Sequence, residues 1–488
     1  MSRVLSFIGR AANAVAPEVP PHLKQRRYDA ASRTSRMSGW YTPTTDADAA
    51  ISDPITIRNR ARDLVRNNPW ASKGVNVCVN NAIGYGIRAQ IKAGSALRTR
   101  QAQALWQRHM ETSACDADGM HDIYGLQQLA FRALVESGEC LIRFRPRRPE
   151  DGLPLPFQLQ VIEPDLLSDN IADASGVLPG NDFEKGVEYD PLGRRVAYHL
   201  FRKHPGSSHT LAGIRETARV PASEIIHLYR KDRPGQNRGV SWLSPVVVAA
   251  KNLGLFEDAT LQSSMIANLF TGWLHSDDPQ AFGEELDEEI PDLQPGTMYA
   301  LKPGRSVTFN EPPKRAEDPQ FRQWILRGIA SGLGITYESL TGDMSQVTYS
   351  SARMSAHEFG RNVESWQWNL FIPVFCQRVF VWYSDMLAAT GVNTDGMTVE
   401  WTPPTRTVVD PGKEVAALIN AVKGGLMSLP EAIRGQGFDP DAVATEQAEY
   451  LAKLDAAGLK VESDYRNAPS VVKQTEEPTP QEETLTNE

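Results

Sequence analysis

The sequence is poor in the residues from which stapled, metal-bound or membrane proteins are made. Its 488 residues hold four cysteines, Cys78, Cys115, Cys140 and Cys376, and no C-x-x-C pair. Such scattering argues against a disulfide framework and a zinc site, and leaves four ordinary buried thiols. No run approaches the roughly 18 uncharged apolar residues that a membrane span needs. The start, Met1-Ser2-Arg3-Val4-Leu5, has no signal-peptide apolar core. The expected location is the cytoplasm of the producing cell, away from any membrane. Positive charge is not in excess either: 51 Lys and Arg stand against 60 Asp and Glu, for a net charge of −9. That balance excludes a protein that wraps nucleic acid through a counterion-releasing basic patch.

Catalytic patterns are equally scarce. There is no Walker lysine loop, and no serine sits in a G-x-S-x-G elbow. Gly84-Tyr85-Gly86 is half a dinucleotide fingerprint, but it follows a helical pattern where a strand is required, so it reads as a helix stop. His357-Glu358 opens like a zinc-protease helix, yet Arg361 stands where the second imidazole should be. The expectation is a protein with no catalytic residues, no metal and no cofactor.

What the chain does have is enough apolar content, 41%, to bury a sizeable core in two to four domains. Its ends are charged and polar. Residues 1–40 carry seven bases against Glu18 and Asp29, and residues 471–488 carry five glutamates against Lys473. Both read as solvated tails. Between Asp53-Pro54 and Gly86 two helices are expected, broken at Asn67-Asn68-Pro69, where asparagine caps and proline opens a first turn. Further helices are expected over 95–112 and from Asp122 to Gly138. The period then changes to two at Cys140–Phe144 and Phe157–Val161, as in half-buried strands, and Asp190-Pro191-Leu192-Gly193 turns a hairpin.

Ser244-Pro245 predicts the start of a helix running to about Phe270, roughly 39 Å long, with apolar residues on more than one side. An acidic run follows: Asp277, Asp278, Glu284, Glu285, Asp287, Glu288, Glu289 and Asp292, with no base among them. Taken alone such a run is a solvated face. A second hairpin is expected between Met298–Leu301 and Ser306–Phe309. A helix from Asp318-Pro319 carries Phe321, Ile325 and Ile329 on one face. The polar stretch 341–351 reads as a loop before a helix from about Ala352 to Ala389, which Pro373 should kink. Its aromatic residues, Trp366, Trp368, Phe371, Phe375, Phe380, Trp382 and Tyr383, are expected to form a buried face. A strand at 397–401 and three short helices in 411–459 complete an α+β order.

That order, with several local strings, resembles the lambda-type portal proteins of tailed bacteriophages and prophages over about residues 50–460. The strings are Arg60-Ala61-Arg62-Asp63-Leu64-Val65-Arg66-Asn67-Asn68-Pro69, Val161-Ile162-Glu163-Pro164-Asp165-Leu166-Leu167 and Arg233-Pro234-Gly235-Gln236-Asn237-Arg238-Gly239-Val240-Ser241. Trp401-Thr402-Pro403-Pro404 before Asp410-Pro411-Gly412-Lys413-Glu414, and the Gly425-Leu426 turn, add to them. The resemblance implies a portal fold in a ring, normally of twelve subunits, at a capsid vertex. On that plan 1–40 is a basic arm and 41–243 an α+β wing. Residues 244–275 and 317–335 become stem helices, with 276–316 as the clip between them. Residues 336–395 form a channel loop and long helix, 396–404 a wing strand, 405–459 a helical crown, and 460–488 an acidic tail.

The implied partners are further copies of the chain, double-stranded DNA threaded without sequence preference, the terminase large subunit, and capsid, scaffold and head–tail completion proteins. The implied location is the virion, reached from the host cytoplasm. Candidate DNA-facing residues are Gly342, Asp343, Met344, Ser345, Gln346, Val347, Thr348, Tyr349 and Arg353. Leu253, Leu261, Phe321, Ile325 and Ile329 are the candidate stem contacts, and the acidic run belongs to the clip. Two rivals remain at this level: a nuclease or other hydrolase acting on DNA, and a ring or adaptor of the virion that is not the conduit.

Overall fold

The computed structural model describes residues 39, 42–51, 53–170, 176–207, 217–269, 273–276, 305–308, 318–404 and 411–459. Residues 1–50 and 51–488 form separate units. Of the first, the described part holds a turn in which the Asp46 carbonyl accepts from the Ala50 N–H at 3.2 Å. Everything below concerns the second.

Its helices start where the sequence supplies caps. Helix α1 (Pro54–Asn67) has Asp53 accepting from the Thr56 N–H, and α2 (Pro69–Ala82) has Asn68 accepting from Trp70 and Ala71. In both a proline occupies the first turn, where its missing N–H costs nothing. Strand β1 (Arg88–Lys92), α3 (Ala96–His109) and α4 (Ile123–Ser137) follow. In α4 the predicted stripe Ile123, Leu126, Ala130 and Leu134 is fully buried.

Strands β2 (Glu139–Pro146), β3 (Phe157–Ile162), β4 (Asp182–Glu184), β5 (Val187–Tyr189), β6 (Arg195–Phe201), β7 (Thr217–Pro221) and β8 (Ile225–Tyr229) make two antiparallel sheets, ordered β3-β2-β8 and β4-β5-β6-β7. The predicted hairpin is β5–β6, with a register irregularity at Glu188/Tyr189. The expectation that β2 is half-buried is corrected at its start, where Cys140, Leu141 and Ile142 are all buried. Cys140 and Ile142 face the helices, while Leu141 joins Ile162 and Ile225 against Val187, Tyr198, Leu200 and Val220 of the second sheet. The layers are therefore helices, three-stranded sheet, four-stranded sheet.

The long helix α5 spans Val247–Leu269, shorter than expected. Ser244 does not cap it: its hydroxyl donates to the Ser241 carbonyl at 2.6 Å, within a series of turns before the helix. Strand β9 (Trp273–Ser276) pairs antiparallel with β10 (Arg305–Thr308). The expected hairpin partner, 298–301, lies outside the described residues. So do all eight acids of the predicted clip.

Helix α6 (Asp318–Leu333) returns beside α5 and is followed by α7 (Tyr337–Thr341) and α8 (Tyr349–Trp366). Helix α8 begins three residues before the expected Ala352, because Thr348 accepts from the Ser351 N–H and Ser351 reciprocates to Thr348. Around Pro373 the chain adopts a π-helical stretch, Gln367–Cys376, before α9 (Gln377–Ala389). The wider turn carries proline without the i−4 clash it would make in an α-helix. Six of the seven expected aromatics are buried or half-buried, but Trp368 is 51% exposed. Strand β11 (Thr398–Thr402) pairs with β1, a strand the period did not reveal. Helices α10 (Pro411–Lys423), α11 (Leu429–Gly435) and α12 (Pro440–Ala457) close the described chain. Among the described residues no helix is long and apolar enough to cross a membrane.

Candidate functional site

The long helix α5 leaves the layered body through a junction built from two glycines and one buried carboxylate. Helix α4 ends at Gly138, which has φ 90° and a left-handed conformation. The segment leading to α5 crosses it in backbone contact. A Cβ on Gly138 would lie 2.2 Å from the Val240 carbonyl carbon, and one on Gly239 would lie 2.1 Å from the Gly138 carbonyl oxygen. Only glycine allows chains so close. The Trp242 N–H then donates to the Val135 carbonyl at 3.1 Å, fixing the approach to α5.

Glu139, the first residue of β2, sits beneath this crossing and is 1% exposed. A bare carboxylate there would be prohibitively costly, so its oxygens are surrounded by donors. Arg238 donates from Nε at 2.9 and 3.0 Å and from Nη2 at 2.7 Å. The Gly239 N–H donates at 2.9 Å, His227 Nε2 lies at 3.0 Å, and Arg58 Nη1 stands 3.9 Å away. Arg238 spends its remaining nitrogen on Asp169 at 2.8 Å and the Lys185 carbonyl at 2.7 Å. Burial alone would raise the Glu139 carboxyl, but the Arg238 charge and the His227 bond outweigh it and hold the group well below the usual range. Burial also lowers His227, which stays neutral and donates from Nε2.

A second acid extends the network. Asp165 accepts from Arg58 at 3.0 Å and Arg62 at 2.8 Å, and Arg62 also reaches Glu163 at 3.4 Å and the Ser137 hydroxyl at 3.1 Å. Glu163, Asp165 and His204 bring potential ligand atoms within 4.8 Å of one another. Two guanidiniums already neutralise Asp165, so this corner is a charge cluster and a poor cation site. Gln236 shapes the loop that delivers Arg238: its side-chain Oε1 accepts from the Asp232 and Arg233 N–H groups at 2.8 and 3.2 Å, and its Nε2 donates to the Arg238 carbonyl at 2.8 Å.

From this base the two long helices become barer. Asn68 reaches the Ala250 carbonyl at 3.5 Å, and a Cβ on Gly332 of α6 would meet Val246 Cγ1 at 2.3 Å. Leu253 and Ile329 are buried within this chain, Ile325 is half-buried, and Leu261 and Phe321 are 61% and 44% exposed. The expected stem contacts thus divide. Leu253 and Ile329 are covered by their own chain, whereas Leu261 and Phe321 are open. Phe321 touches Phe256 of α5 edge-on, with centroids 5.4 Å apart.

The loop candidates lie between α7 and α8. Gly342 caps α7 at φ 76°, and Asp343 accepts from the Ser345 N–H at 3.0 Å and from the Tyr337 hydroxyl at 3.3 Å. These bonds hold the Asp343 carboxyl below its ordinary value. Met344, Ser345, Gln346, Thr348 and Tyr349 are exposed and Val347 is half-buried, while Arg353 is exposed one turn into α8. The structure gathers the loop residues into one tight turn. It does not bring them to the Glu139 junction, which the sequence reading missed. The signal was present: the three strings quoted above hold Arg62, Glu163, Asp165, Arg238 and Gly239, and converge there.

The profile described as "Phage portal protein, lambda family" matches residues 33–367. The "Probable portal protein" of Halomonas phage phiHAP-1 is 26% identical, covering 92% of this chain and 91% of its own length. "Portal protein B" of Escherichia phage lambda is 22% identical over 87% of this chain and 89% of its own. Among solved structures, a chain from "Neck of native GTA particle computed with C12 symmetry" aligns with a TM-score of 0.46 at 14% identity, covering 80% of this chain and 94% of that one.

Proposed function

This chain belongs to the lambda family of phage portal proteins, a structural family and not a family of enzymes, and from that premise we propose that it assembles into a ring at one capsid vertex. The ring, of twelve copies, is the conduit through which DNA is packaged and ejected. It docks the terminase large subunit and the head–tail completion proteins, and it is built in the host cytoplasm before it resides in the virion. The family match carries this reading.

The geometry supports it in two places. Helices α5 and α6 expose Leu255, Leu261, Met265, Phe321 and Trp324, more apolar surface than a lone pair of helices keeps in water. Neighbouring copies would cover it. The turn 342–348 offers hydroxyls, Gln346 and the nearby cation Arg353, groups suited to phosphates and indifferent to base sequence. Asp343 beside them, and a net charge of −9 per chain, favour sliding over sticking. Deleting 343–349 should leave assembly intact while sharply reducing the DNA packaged in a reconstituted head. Normal packaging by that variant would remove the turn from the conduit.

A further inference from the structure

The guanidiniums buried at the junction all meet carboxylates: Arg238 pairs with Glu139, and Arg58 and Arg62 with Asp165. Arg195, the first residue of β6 and half-buried, does not. It donates from Nη2 to the Tyr229 hydroxyl at 2.5 Å and from Nη1 to the Tyr198 hydroxyl at 3.4 Å. Among the described residues no carboxylate pairs with it, and the groups that bear on it are Tyr198, Tyr229 and Tyr189. The register irregularity of the β5–β6 hairpin brings them together. Ala197 pairs with Glu188 but Arg195 with Tyr189, so Val196 is an extra residue in β6. Arg195 and Tyr198, which a regular strand would point to opposite faces, therefore meet on one side.

The hydroxyls around this charge have protons to give. Tyr229 donates to the Gln236 carbonyl at 3.1 Å. The buried Tyr189 hydroxyl has no acceptor, and Tyr198, 2% exposed, has none for its own proton among the described residues. Glu184 and Glu139, acids whose charges reach these tyrosines, are bonded elsewhere, to Asn237 at 3.2 Å and to Arg238 at 2.7 Å. A half-buried cation ringed by hydroxyl donors, with no counter-ion, is the chemistry of an oxyanion site. A water molecule would accept the two protons but leave the charge uncompensated.

We propose that Arg195, Tyr189 and Tyr198 bind one phosphate group at the hairpin end of the packing between the two sheets. Free inorganic phosphate and the backbone of DNA both carry that group. The site lies within one chain and does not depend on the ring. Its test titrates inorganic phosphate, and separately a short DNA duplex, into the full-length parent, Tyr189→Phe and Arg195→Gln by calorimetry, with chloride at matched ionic strength as the blank. Tyr189→Phe should bind about tenfold more weakly than the parent, because one hydrogen bond to a charged acceptor is lost. Its melting temperature in chloride should not fall, since that hydroxyl bonds to no acceptor within the chain. Arg195→Gln should abolish binding, and if it fails to fold, Tyr189→Phe alone decides. Loss confined to inorganic phosphate identifies the free anion as the ligand, and loss of duplex binding identifies the backbone. If the parent binds neither, or Tyr189→Phe binds both as the parent does, the proposal is overturned and water fills the site.

Discussion

Glu139 shows how one side chain can hold several elements. It takes donors from the segment before α5, from β8 and from the Gly239 backbone, with α1 close by. Removing one partner of a buried ion pair leaves the other charge stranded, which costs about 3–5 kcal/mol. Glu139→Gln is expected to destabilise the fold by about that amount, read as a lower urea midpoint at unchanged slope. Acid should weaken the junction too. The depressed Glu139 carboxyl contributes stability above its unfolded value, and that contribution is lost as pH falls toward the folded one. Two buried imidazoles act in the same direction. Burial takes His109 down to about 4 and lowers His227, so the unfolded chain binds protons below about pH 6.5 that the folded chain refuses. Each such histidine should cost about 1.4 kcal/mol per pH unit between its two values. His109 packs against Phe157 at 4.7 Å, so His109→Phe should flatten the stability–pH curve between pH 6 and 4. An unchanged slope would contradict the burial argument.

At the scale of elements, periods and caps made most of the helices legible. Asp53, Asn68 and Asp122 cap where the sequence says they should. What it hid were features whose cause is distant. Strand β1 pairs with β11 more than 300 residues later, and the covering of Leu141 depends on a second sheet. The π-helical turn at Pro373 was legible only as an irregularity. The turn at 342–348 was legible as a polar loop, but the Glu139 network was not, because its members are far apart in the chain and no motif announces them. Gly239 was visible only within a string, and its reason is the Gly138 carbonyl 2.1 Å from where a Cβ would stand. Gly239→Ala should therefore disturb the entry to α5. The expected readout is faster proteolysis near residues 240–250 and a loss of several kcal/mol, of about the size that core overpacking causes.

For the whole molecule, the exposed apolar residues of α5 and α6 matter more than any single bond. Leu261 and Trp324 are 61% and 71% exposed. Aspartate at both positions should leave the single chain folded, with an unchanged circular dichroism spectrum, while preventing assembly by placing charge where neighbours would bury it. In the proposed conduit the net negative charge would favour DNA that passes without being gripped. The decisive quantity is the mass of the purified chain in solution. Native mass spectrometry or sedimentation should find a closed ring near twelve times 54.0 kDa, whereas a stable particle of 54.0 kDa at every concentration and ionic strength would contradict the assembly.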